Sequence, residues 1–437
     1  MLQSNKAVTI FWYRRDLRIE DNHGLFEALV KNKNVLPIFI FDHTILNKLS
    51  NKEDKRVDFI YQALQNLQEK FIEHGSSLYV FNQNPIDAFK DLIGQFNIQS
   101  VYTNHDYEPY AIKRDHQISD FLKEQGIEFK SYKDQVIFEK NEILKSDQSP
   151  YTIFTPYSKP WKEKLHKEGI PIYPSENQLE NLLKIDPIKF PGWDDIGFKK
   201  TGITIGQPNG LTKIIQDYHL TRNIPGINGT SRLSVHLRFG TVSIRKLVKI
   251  ALQLNEQWLN ELIWREFFMQ ILFHFPRVVE NSFKTKYDSI EWRNNEKEFE
   301  AWCKGETGYP IVDAGMRELN ETGLIHNRVR MIVASFLTKH LLIDWRWGEA
   351  YFSEKLLDYD LSANNGNWQW AAGTGCDSAP YFRIFNPYEQ VKKFDPKLDY
   401  IRTWIQPFND YLIPPIVEHT FARKRCLDAY KLALELK

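Results

Sequence analysis

The chain has little cysteine. Its three cysteines, Cys303, Cys376 and Cys426, lie far apart, with neither the spacing of a zinc site nor the density of a disulfide framework. A reducing, cytoplasmic setting is therefore expected. It has almost no net charge, with 57 Lys+Arg against 56 Asp+Glu. Global charge thus argues neither for nor against nucleic acid, and only a local basic patch could serve one. No run of residues approaches membrane-spanning length, and the N-terminus lacks the basic-then-apolar pattern of a secretory signal. No GxGxxG follows the first apolar run and no Walker lysine loop occurs, so a dehydrogenase or P-loop reading has no support. Internal repeats and low-complexity tracts are also missing.

What the chain does have is length and aromatic mass. Its 437 residues exceed one ordinary core, which predicts two domains. Aromatics make up 14%, including 12 Trp, a surplus that needs a use in packing, stacking or electron transfer. The first third alternates strand signals (Val8–Tyr13, Val35–Phe41, Ser77–Phe81, Ser100–Thr103) with helical ones (Gly24–Lys31, Val57–His74, Pro85–Phe96, Ala111–Gln125). This order predicts an α/β, Rossmann-like parallel-sheet domain over 1–125. From 126 to 204 the pattern loosens and prolines recur, as in a connection wrapped over the surface. Beyond 205 only helix-period segments remain, predicting an all-α domain over 205–437.

Four segments carry chemistry. The stretch Leu357–Arg383 places Asp358 and Asp360 before an Asn-Asn-Gly turn, then Trp368 and Trp370, then an almost uncharged Gly/Thr/Ala loop. It suits the wall of a pocket for flat rings, with Asn364 presenting an amide, or equally a Trp-anchored loop packed on its own core. GTSRLS at 229–234 suits a pyrophosphate at a helix start, or a plain hydroxyl N-cap. On one helix, Trp258, Glu261 and Trp264 share a ridge. Glu261 there is either a carboxyl desolvated between indoles or half of an exposed i,i+4 pair with Arg265. HNRVRM at 326–331 sets Asn327, Arg330 and Met331 on one side and Arg328 on another, as a site wall or a solvated basic face. Trp292, Trp345 and Trp368 are scattered, and nothing in their spacing relates them.

Taken together, GTSRLSVHLRFG, ELIWREFF, TGYPIVDAGMREL, HNRVRMIVASFL, DWRWGEAYF and LSANNGNWQWAAGTGCDSAPYFRIFNP resemble the photolyase/cryptochrome family, over nearly the whole chain. The resemblance implies an α/β antenna domain, a linker, and a helical domain holding FAD in a folded form. It implies that Tyr218 and Thr230, Ser231, Arg232, Leu233 and Ser234 cradle the FAD phosphates. Trp258, Asn327, Arg330, Asp358 and Asp360 would line the flavin, with an Arg330–Asp358 ion pair beside the ring and Asn364 facing N5. Asn at that position is similar to the repair branch, and light-sensing branches typically carry Asp or Cys. On the DNA side, Glu261 would hydrogen-bond the bases of a cyclobutane pyrimidine dimer. Trp264, Trp370 and Met331 would contact the flipped lesion beside Asn327, and Arg222, Arg328, Arg383 and Gln390 would meet phosphates. Members that repair the (6-4) lesion use histidines there instead.

The implied activity is light-driven electron transfer from excited FADH⁻ to the dimer, with Trp368, Trp345 and Trp292 as a chain that reduces oxidised flavin. The DYEPYAIKRD segment at 106–115 departs from members that bind folate, which carry Asn-Glu at the positions of Tyr110 and Ala111. It is more similar to members with a deazaflavin antenna. A monomer acting on damaged DNA, with no membrane and no protein partner, is the expectation. A blue-light photoreceptor is the alternative. Signalling members often extend past the flavin domain, whereas this chain ends at Lys437 with the segment FARKRCLDAYKLALELK.

Overall fold

A computed structural model describes residues 6–204, 206 and 210–435. Five strands, β1 (Ala7–Tyr13), β2 (Val35–Asp42), β3 (Tyr79–Gln83), β4 (Asn97–Asn104) and β5 (Glu128–Tyr132), form one sheet in the order β3-β2-β1-β4-β5. Every pairing is parallel, for example Ile10 opposite Leu36 and Val101. β1 and β2 are apolar on both faces, as strands covered by helices on both sides must be. The intervening helices begin where the sequence supplies caps. Asn22 accepts from Leu25 N and Asp54 from Arg56 N, and proline opens Pro85–Gln95 and Pro109–Glu124.

The fifth strand lies beyond the boundary expected at 125. Glu128–Tyr132 holds few apolar residues and reads as connection, and it is a strand only because β4 offers an edge to pair with. The expected 126–204 connection also contains a helix, Phe154–Glu168. The described residues group by contact into two units that interleave along the chain, instead of dividing near 125 and 204. One comprises Met1–Glu139, Lys164–Gln207 and Leu233–Ile250, and the other Lys140–Glu163, Pro208–Arg232 and Ala251–Lys437. The reason Leu233–Ile250 counts with the sheet is electrostatic. Arg245, buried, bonds Asp21 (2.9 Å) and Asp134 (2.8 Å), and Arg18 bonds Asp134 as well. These four buried residues, two arginines and two aspartates, keep each other's charge compensated.

The second unit is built on Glu256–His274, Glu296–Lys304, Pro310–Thr322, Asn327–Ser335, Trp345–Lys355, Leu361–Ala372 and His419–Glu435. No helix among the described residues is long and apolar enough to cross a membrane. The Asn327–Ser335 helix runs directly into a π-helical turn at Phe336–His340. The segment read as an Asn-Asn-Gly turn is the interior of a helix. Asp360 caps it through Ala363 N, and Gly373 ends it at φ +84°. Asn and Gly are poor helix formers, and what overrides them is packing. A Cβ on Gly366 would stand 2.2 Å from the Phe268 ring, so glycine lets two helices close on each other there.

Candidate functional site

The Asn327–Ser335 helix, capped by the His326 ring, and the Leu361–Ala372 helix face each other across a pocket. The pocket is partly open to solvent, and about 580 Å³ of non-atom space, that open solvent included, lies within its bounds. Asn327, Arg330, Met331, Asp358, Asp360, Asn364, Trp368 and Trp370 all line it, with Phe352, Leu356, Ala363 and Asn367 among the rest. Residues separated by up to 44 positions in sequence thus meet at one pocket.

Each polar wall has a definite posture. Arg330 Nη2 sits 2.8 and 3.0 Å from the two oxygens of Asp358, and its Nε donates to the Ile325 carbonyl at 3.0 Å. Asn364 Nδ2 donates to Glu349, at 2.8 Å to Oε1 and 3.2 Å to the carbonyl. That fixes the amide, because a carboxylate can only accept from the NH₂ side, and the Asn364 oxygen is what remains for the pocket. Burial raises the Glu349 carboxyl pKa, and the Asn364 hydrogen bond counters it. Sequence reasoning missed both Glu349 and Asn367. Asn367 had a legible signal, three residues from Asn364 on one helix face. Glu349 had none, since it reaches Asn364 only through the approach of two helices.

Other expected site residues lie outside this lining. Arg222 Nη1 is 2.5 Å from Glu261 Oε1, so Glu261 pairs with a residue 39 positions away. The guanidinium of Arg222 lies 5.3 Å from the Tyr218 ring centre. Arg328 donates to Asn223 Oδ1 at 2.6 Å and stands 4.3 Å over Phe394. Arg383 lies 5.6 Å over Phe385, and Gln390 is on the Pro387–Phe394 helix. Trp258 is buried, and Trp264 stacks on Phe154 at 3.8 Å, which covers one face of its ring. Thr230–Arg232 count with the second unit, Arg232 at φ +48°. Leu233 precedes the short Ser234–Phe239 helix, whose first turn has no side-chain cap, so the hydroxyl N-cap reading of GTSRLS does not apply. Trp368 and Trp345 belong to one buried cluster, and Trp292 packs against it. The edge of Trp368 meets Phe352 at 5.0 Å and Trp302 at 6.1 Å. In the sheet unit, Asp106 and Glu108 are held by Arg15, Glu108 also by Arg238, and Tyr110 donates to Asp42 at 2.6 Å.

Residues 258–411 match the family model described as the FAD binding domain of DNA photolyase, and residues 9–175 the model described as DNA photolyase. The deoxyribodipyrimidine photo-lyase of a Synechococcus species is 37% identical over 426 residues, covering 91% of this chain and 88% of that protein. A bacterial class III photolyase from Agrobacterium tumefaciens shares the fold at a TM-score of 0.85 and 30% identity, covering 100% of this chain and 99% of that one. A Synechocystis cryptochrome does so at 0.83 and 26%, covering 97% and 99%.

Proposed function

Because the chain belongs to the DNA photolyase family, we propose that it repairs cyclobutane pyrimidine dimers in DNA in a light-dependent reaction with FAD as cofactor. The observation that carries this reading is the shared wall. The residues expected to meet a flavin (Arg330, Asp358, Asp360, Asn364) and those expected to meet a flipped lesion (Asn327, Met331, Trp370) line one continuous pocket. Electron transfer between two bound rings requires that proximity.

The residues fit the cofactor. The oriented oxygen of Asn364 can accept from a ring N–H, the Arg330–Asp358 pair offers a fixed cation and carboxylate, and Phe352, Leu356 and Trp368 supply apolar walls. Reduced FAD, when bound, supplies the light-excited electron that splits the dimer. The chain positions and shields. Met331 and Trp370 offer apolar contact to a lesion that stacks weakly in its duplex and so flips out at low cost. Arg222, Arg328 and Arg383 attract phosphates without reading sequence. The DYEPY motif alone supports a deazaflavin rather than a folate as second chromophore.

Glu261 acts through a carboxylate already held by Arg222. Glu261→Ala is expected to weaken lesion binding and slow repair by about 10- to 100-fold, the worth of one charge-assisted hydrogen bond, with FAD content unchanged. Co-purified FAD measured beside repair rate checks this, and loss of FAD would make the carboxylate structural. Trp292→Phe should stop photoreduction of oxidised flavin while leaving repair intact in chemically reduced enzyme. Unchanged photoreduction would remove Trp292 from the path.

The test of the whole reading is anaerobic. Reduced protein receives an oligonucleotide with one thymine dimer, and thymine absorbance is followed in blue light and in darkness, beside a (6-4) oligonucleotide. Light-dependent recovery on the dimer alone supports the proposal. Recovery on the (6-4) lesion alone overturns the roles of Asn327 and Met331, and recovery on neither, with FAD bound, indicates a photoreceptor.

A further inference from the structure

The π-helical turn Phe336–His340 carries Lys339, which is 1% exposed. π-turns inside helices are uncommon and often mark functional positions. A buried ammonium needs full compensation, and here it finds the end of the tryptophan-bearing helix. Lys339 Nζ donates to the Ala372 carbonyl at 2.7 Å and the Tyr381 carbonyl at 3.3 Å, and stands 3.8 Å from the centre of the Tyr430 ring. The negative end of the Leu361–Ala372 helix suits that charge. Burial pulls the amine pKa down to about 8, so the group is still mostly charged at neutral pH. Cys426, beside it, stays a thiol because burial pushes its pKa up to about 11.

Tyr430, fully buried, also donates its phenol proton to the Ala372 oxygen, at 2.7 Å. Its ring also meets Trp292 edge-on, with centroids 6.1 Å apart at 90°. A phenol in contact with an indole is the natural next stop for an electron hole. The step would be Trp292•⁺ + Tyr430–OH → Trp292 + Tyr430–O• + H⁺. The indole regains an electron, and the phenol loses one together with its proton.

Two features of the geometry oppose that step. The proton faces a peptide carbonyl, which is no base and already accepts from the ammonium. The cation over the ring draws on the ring electrons that oxidation would remove. We propose that the buried ammonium of Lys339 is an electrostatic stop that keeps the hole on Trp292 and off Tyr430. The inference rests on the tryptophan chain proposed above and assigns its end. Trp292, half-buried, retains the hole where a reductant from solvent can fill it.

The experiment is flash excitation of the FAD-loaded protein, read by transient absorption and by EPR of the radicals. The wild type should show a tryptophan radical and no tyrosyl radical. Lys339→Met should raise the tyrosyl yield ~10-fold or more, with matching faster loss of the tryptophan signal, and Tyr430→Phe added to it should abolish the new signal. A tyrosyl radical already present in the wild type, or its absence from a Lys339→Met protein whose tryptophan radical forms normally, would overturn the proposal. Tyr430→Phe alone provides a second reading that leaves the lysine in place. It should leave the tryptophan radical lifetime unchanged, and a lengthened lifetime would mean that Tyr430 is already on the path. Lack of any tryptophan radical in the wild type is a distinct result that overturns the chain itself, and the stop with it.

Discussion

Arg330→Leu should destabilise the fold by about 3 kcal/mol and strip the protein of FAD. The side chain of Asp358 is 3% exposed and that of Arg330 29%. Removing the arginine would leave a buried carboxylate without its cation. Breaking such a buried pair typically costs about 3–5 kcal/mol, and partial solvent access to the arginine places this one at the lower end. The expected result is a lower urea midpoint at unchanged slope in the cofactor-free protein, together with a reduced ratio of flavin to protein absorbance after purification. The double variant Arg330→Leu/Asp358→Leu separates the two roles. Replacing both charges by apolar groups is often neutral for stability, so the midpoint should recover while FAD binding should not. Full FAD binding by the double variant would make the pair merely structural.

Gly348→Ala is expected to reverse the usual sign of its substitution. Gly348 lies inside the Trp345–Lys355 helix, where alanine would ordinarily gain about 1 kcal/mol. Its Cβ would stand 2.1 and 2.4 Å from Trp368 ring carbons and 2.6 Å from Leu337 Cδ2. The Trp368 ring is rigid and held by Phe352 and Trp302, so any shift of it alters the wall of the pocket it lines. Overpacking of this kind costs about 1–3 kcal/mol, more when nothing gives, and it outweighs the propensity gain. A net loss of about 2 kcal/mol would lower Tm by roughly 4–8 °C, and flavin content should fall with it. A rise in Tm with FAD retained would show that the indole moves aside freely.

Much of this molecule was legible without coordinates. In the first third the strands follow from short buried apolar runs, and the helices from the 3.6-residue period and from caps such as Asn22 and Asp54. The parallel sheet follows from the alternation of those elements. Residues for the pocket were identifiable as types and motifs, and Arg330 and Asp358 do meet. The misread elements share one physical character. Leu361–Ala372 contains Asn364, Asn365, Gly366 and Asn367, which locally favour a turn. Glu128–Tyr132 lacks an apolar pattern of its own. In both, contacts with a distant element override local preference, Phe268 against Gly366 in one case and β4 in the other.

Sequence by itself therefore determined the class of each half, the family, and the inventory of polar and aromatic groups available for chemistry. Those properties are written in residue type and short-range spacing. Only the tertiary structure decided which groups face each other. Glu261 chose Arg222 over its helical neighbour Arg265 as a 2.5 Å partner, Glu349 took the amide N–H of Asn364, and Lys339 found the Ala372 carbonyl and the Tyr430 ring. Each of these pairings spans 15 to 91 positions. Hydrogen bonds and ion pairs act over about 3 Å, and two side chains so far apart in sequence come within that range only when packing has set the distance between their helices.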